Sequence, residues 1–142
     1  MATNKVLERL AVIELPMPAG VNIASGQPLL YGEIAPLAGV AVAAQNTSNP
    51  VYDSNSGYLG VDFEGVYNLT VVAETLASVS AGAAFKPGDK VYASGGIYDP
   101  LTGITYGFTL CNDTTGTFYG RIMQSLGAGL TATVAVILRN AC

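Results

Sequence analysis

The chain has 142 residues, ten acidic and six basic for a net charge of −4; half of its residues are hydrophobic and only 11% are charged. That length suits one domain with a substantial core, and high hydrophobicity with low net charge is the opposite of the disorder signature. A sequence pI near 4.5 with scattered cations excludes a phosphate-neutralising nucleic-acid surface, and the lack of any histidine excludes His-based acid–base catalysis and most zinc sites.

The first ten residues, MATNKVLERL, alternate charged and apolar side chains and lack the continuous apolar run of a signal peptide. The longest uncharged apolar runs, 34–44 and 126–138, are broken by Gly or Pro and fall short of the ~20 residues that span a bilayer. The expectation is a soluble protein made in the cytoplasm, with no membrane and no nucleic-acid partner. LLY (29–31) and VAVA (40–43) read as two short strands joined across 32–39. Residues 45–57, rich in Asn, Ser, Thr and Asp, read as a loop. VDFE (61–64) alternates apolar and acidic residues, as a half-buried strand does, which sets Asp62 and Glu64 on one side. It runs through Gly65 into the β-branched and aromatic VYNLTVV (66–72). Residues 73–80 are expected to form one or two helical turns.

KPGD (86–89) has Pro and Gly where a tight turn uses them, and leads into the strand KVYA (90–93). Gly95 and Gly96, like Gly57 and Gly60, read as turn glycines, and DPLTG (99–103) reads as a further turn. ITYGFTL (104–110) alternates, with Thr105, Gly107 and Thr109 on one face. Residues 119–126 are a second candidate helix, ended by Gly127. In TATVAVIL (131–138), Thr131 and Thr133 face one way and Ala132, Val134, Val136 and Leu138 the other. Ala135 and Ile137 then make both faces apolar, which predicts cover on both sides at that end. Many short strands with frequent turn signals predict an all-β fold with minor helix, a compact sandwich or barrel.

Motifs that carry chemistry are nearly absent. GAAFKPGD (82–89) lacks the closing Lys and hydroxyl of a phosphate loop. Asp62 and Glu64 could pair for glycoside hydrolysis, but two like charges at i and i+2 on a solvent face are the plainer reading. The Asp and Asn residues of 46–55 offer oxygen ligands at a spacing that matches no EF-hand. Cys111 and Cys142 fit no metal or redox spacing and read as a small buried hydrophobe and a terminal thiol. No catalytic residue, cofactor or metal is expected, and the chain is not expected to be an enzyme. The charges number about one per 430 Å² of expected folded surface, sparse for an isolated domain. Either Thr, Ser, Asn and Gly cover the deficit, or part of the surface is buried against other subunits.

A resemblance runs along most of the chain. LPMPAGV (15–21), SGQPLLYG (25–32) and PLAGVA (36–41) are followed in order by VDFEGVYNLTV (61–71), FKPGDKVY (85–92), FYG (118–120) and TVAVIL (133–138). This succession resembles the small capsid decoration (cement) proteins of tailed phages, of the lambda-like head type. Residues 45–57 and 97–117 look longer than the family's minimal form. The resemblance implies a β-tulip domain over 15–142 behind an N-terminal arm over 1–14, and a homotrimer. It implies a major capsid protein as partner, a place on the outer surface of the virion at threefold positions, and stabilisation of the expanded shell. Within the arm, Thr3, Asn4, Lys5, Val6, Leu7, Arg9 and Leu10 are the candidate capsid contacts, since a segment of this kind can add a strand to an exposed sheet edge. A terminus that simply frays is the plainer reading of the same residues. The alternative function is a glycan- or surface-binding β module, which would display clustered exposed aromatics.

Overall fold

The computed structural model describes residues 12–18, 21, 23–43, 58–74 and 84–138. Nine strands run through them: β1 (Val12–Pro16), β2 (Pro28–Tyr31), β3 (Leu37–Ala43), β4 (Tyr58–Asp62), β5 (Val66–Val72), β6 (Lys90–Asp99), β7 (Ile104–Cys111), β8 (Thr117–Ile122) and β9 (Thr131–Leu138). The described residues contain no helix. The fold is all-β, as the alternating pattern predicts. The helix expected over 119–126 is corrected, because Tyr119 through Ile122 belong to β8. Of the helix expected over 73–80, Ala73 and Glu74 are irregular and the rest lies outside the described residues.

The strand order is β1-β4-β3-β2-β7-β5-β9-β8-β6, with β6 also pairing β7. Strands β7, β5, β9, β8 and β6 therefore close into a five-stranded ring, a small barrel, and β1, β4, β3 and β2 extend from β7 as a flange. Strand β7 serves both parts. Its first residues pair with β2 (Tyr31 with Ile104, Leu30 with Thr105), and its last pair in parallel with β5 (Val71 with Leu110, Val72 with Cys111). Between these pairings Gly107 takes a φ of 74°. On β6, Gly95 and Gly96 take φ of 78° and 87° at the same level, where Gly95 faces Phe108. These are conformations that side chains disfavour. The glycines bend the long β6–β7 hairpin from flange into barrel and do not end a strand, which corrects the turn reading of Gly95 and Gly96.

Alternation explains what the strands bury. On β9, Val134, Val136 and Leu138 point into the barrel with Leu69 and Val71 of β5, Leu110 of β7 and Tyr119 and Ile122 of β8. Phe85 and Leu126 pair across a bridge and join the same core. Leu30, Ala38 and Val40 of the flange pack onto this core as well. The opposite flange face forms a second core of Leu29, Ala41, Val61 and Ile104 under Leu15, Met17, Ile23 and Phe63. The adjacent leucines of β2 are thus buried on both faces of the sheet. Gly39 makes this possible, because a Cβ there would lie 2.6 Å from Val61 Cγ1 and 3.2 Å from the Phe63 ring.

The KPGD turn forms as read. The Asp89 amide donates to the Lys86 carbonyl at 3.0 Å, and Gly88 takes a φ of 90°. The sheet begins inside the expected arm, since β1 starts at Val12 and pairs with β4. The candidate contacts from Thr3 to Leu10 and the loop 45–57 lie outside the described residues.

Candidate functional site

Asp62 and Glu64 do not form a carboxylate pair on one strand face. Strand β4 ends at Asp62, and Asp62 Oδ1 accepts the Glu64 backbone amide at 3.0 Å, which turns the chain toward Gly65. Asp62 Oδ2 accepts the Tyr67 hydroxyl. Burial first, then this hydrogen bond and the carboxylate's charge, push the Tyr67 phenol up to about 12. The carboxylate is committed to local structure. Asp99 and Asp113 do the same work elsewhere. Asp99 accepts the Thr102 hydroxyl at 2.7 Å, and Asp113 accepts both the amide and the hydroxyl of Thr115. The Thr115 amide and then its hydroxyl hold the Asp113 carboxyl below its ordinary value. Cys111 is a buried free thiol, and burial raises its pKa. Among the described residues no three His, Cys, Asp or Glu side chains gather as a metal site, and no helix is long and apolar enough to cross a membrane.

The described residues also present apolar surfaces. The outer face of β5 and β9 consists of cross-strand pairs: Val66 with Ile137, Asn68 with Ala135, Thr70 with Thr133, and Val72 with Thr131. None of these residues is charged. Val66 is 50% exposed and Ile137 37% exposed. The expectation that the end of β9 is covered on both sides is thus corrected within this chain: Leu138 and Val136 are buried, while Ile137 faces outward. Alternation required an apolar residue on that face and could not say whether its cover came from the same chain.

A second apolar surface lies at the flange end. The 31–36 connection and the 99–103 turn are tied side by side by the Gly32 amide donating to the Gly103 carbonyl at 2.8 Å. Ile34 and Leu101 project from them at 89% and 92% exposure. Sequence patterning missed both, because each sits in a turn where no periodicity marks a face. Their signal is compositional: a branched aliphatic side chain set among Gly, Glu, Asp and Pro, where turns are ordinarily polar. Tyr31 and Tyr98 are the most exposed aromatics described. They occupy adjacent cross-strand rows, Tyr31 with Ile104 and Tyr98 with Thr105, and so leave opposite faces of the sheet. They form no shared stacking platform for a sugar.

No protein-family model, no curated protein and no solved structure matches the chain.

Proposed function

We propose that the protein is a virion structural protein that decorates the outside of a tailed-phage capsid as a homotrimer and stabilises the expanded shell. The observation that carries this reading is the uncharged outer face of β5 and β9, with Val66 and Ile137 exposed at one end. An uncharged two-strand face on a chain of net charge −4 suits burial against a neighbour, since charged residues are depleted at interface cores. A closed barrel with a flange accords with the compact β-tulip that the ordered motifs imply. In a cyclic trimer each copy lends one surface to the next. The trimer then offers three equal contacts to the shell, so modest single affinities multiply. The major capsid protein is the partner under this reading, and the particle's outer surface is the location.

Co-sedimentation with expanded, undecorated shells of the cognate phage tests the proposal. Saturable binding in multiples of three, together with a raised disruption temperature of the shell, is the expected result. Absence of binding to expanded shells overturns it.

A further inference from the structure

Of the six cations, Lys5, Arg9 and Arg139 lie outside the described residues, and Lys86, Lys90 and Arg121 are described. Lys90 and Arg121 meet at one corner of the barrel, where the 86–89 turn that carries Lys86 packs on β8. The turn is held there by the Gly88 amide donating to the Ile122 carbonyl at 2.7 Å and the Ile122 amide donating to the Asp89 carbonyl at 3.0 Å. Lys90 and Arg121 stand directly opposite each other across β6 and β8. Two like charges in that position repel. Neither has a carboxylate partner among the described residues; the Arg121 guanidinium makes one hydrogen bond, from Nη1 to the Gly88 carbonyl at 2.9 Å.

What lies beside them is an aromatic ring. Lys90 Nζ is 5.3 Å and the Arg121 guanidinium carbon 5.7 Å from the centroid of Phe118. A bulge puts the ring there. The register pairs Val91 with Gly120 and then Tyr92 with Phe118, so Tyr119 is the extra residue of β8. The slip turns Tyr119 into the core and sets Phe118 on the outer face with both cations, and bulges commonly re-aim side chains in this way. Tyr92 extends the cluster, its ring 6.0 Å from that of Phe118. A groove of about 250 Å³ opens alongside, lined by Lys90, Tyr92 and Arg121 with Asn112 and Asp89.

We propose that this corner binds an acidic polypeptide segment of a partner protein. Two cations without a carboxylate partner among the described residues, one of them a guanidinium with donors to spare, supply charge-assisted hydrogen bonds to carboxylates. The Phe118 ring holds both cations in place by cation–π contact, and Tyr92 in the groove offers an apolar surface to the segment's aliphatic stems. Charge complementarity selects the ligand. Two cations fall short of the denser set that a phosphate backbone needs. Arg121 pairs with Ile137 across β8 and β9, so the corner borders the face assigned above to subunit contact; binding of the acidic segment does not require that assignment.

The test is an NMR titration of the full chain with hexaglutamate, with a polyphosphate of matched length as the competing probe. Saturable shifts centred on the amides of Lys90, Tyr92, Phe118 and Arg121 are expected, fading as NaCl rises from about 50 mM to about 300 mM. The double variant Lys90→Gln/Arg121→Gln, at two exposed positions, should melt like the parent and bind hexaglutamate about tenfold more weakly. A second variant, Lys90→Glu/Arg121→Glu, should lose hexaglutamate and gain hexalysine at the same amides. Shifts centred elsewhere, undiminished binding by the glutamine variant, or tighter binding of polyphosphate than of hexaglutamate would each overturn the proposal.

Discussion

The hydroxyl of Tyr119 donates to the backbone carbonyl of Gly39 at 2.6 Å, 80 residues away in the chain and fully inside the protein. Tyr119 belongs to the barrel and Gly39 to the flange, so this bond joins the two parts where their apolar surfaces meet. Replacing Tyr119 with Phe keeps the ring and leaves a buried carbonyl without its donor. The expected cost is ~1–3 kcal/mol in denaturant unfolding. Gly39→Ala should cost more, because its methyl group would collide with Val61 and Phe63. Equal midpoints for the parent and Tyr119→Phe would show that the bond does not couple the two parts.

The bend in the β6–β7 hairpin separates two kinds of glycine constraint. Both Gly95 and Gly96 have positive φ, but a Cβ on Gly95 meets nothing within 4 Å, while one on Gly96 lies 2.9 Å from the Tyr106 carbonyl oxygen and 3.0 Å from Phe108 Cβ. Gly95→Ala should therefore show only the conformational cost, ~1–2 kcal/mol. Gly96→Ala should exceed it clearly in the same urea titration.

Alkaline pH should destabilise the protein through its buried phenols. An unfolded tyrosine ionises near pH ~10. Folded Tyr67 keeps its proton to about 12, and burial moves Tyr119 in the same direction. The folded-state pKa is raised, so this contribution is complete below pH ~10 and is lost as pH climbs through the window to about 12. Urea midpoints should hold level up to pH ~10 and fall beyond it. Tyr67→Phe should make that fall shallower.

Self-association should depend on the face shared by β5 and β9. Thr133 faces Thr70 there, with their hydroxyl oxygens 3.4 Å apart. Thr133→Lys places an unpaired charge in each subunit contact, which is costly to take out of water. Sedimentation should show a trimer for the parent and a 14.6 kDa monomer for the variant at equal concentration, with the fold retained. A parent that sediments as a monomer at every concentration removes the basis for reading that face as a subunit contact.

The segment before β1 can be tested by deletion. Its alternation of Lys5, Glu8 and Arg9 with Val6, Leu7 and Leu10 suits strand addition to a partner. Removing residues 2–10 should leave thermal unfolding within a few degrees of the parent while reducing shell co-sedimentation. Early melting would assign the segment to the chain's own sheet.

Strands β2, β3, β5, β7 and β9 were legible because each carries an alternating or continuous apolar pattern that burial then uses. Strand β8 was not. Its inward and outward order is broken by the bulge at Tyr119, so neither a period of two nor one of 3.6 fits its six residues. Half of β6 was hidden by Gly95 and Gly96, since a glycine that bends a strand and one that ends it look the same in one dimension. Asp62 and Glu64 appeared as a facing pair because the strand was read two residues too far. The cation corner was illegible for a deeper reason. Lys90 and Arg121 are 31 positions apart, and only the register of β6 with β8 brings them together.

Strand β9 has a consequence for synthesis. It lies between β5 and β8, so the barrel wall has a gap until residues 131–138 are in place. A chain still held by its ribosome, with β9 in the exit tunnel, presents two open strand edges and an uncovered row of Leu69, Val71 and Ile122. Until β9 docks, those edges and that apolar row stay open to aggregation or chaperone capture.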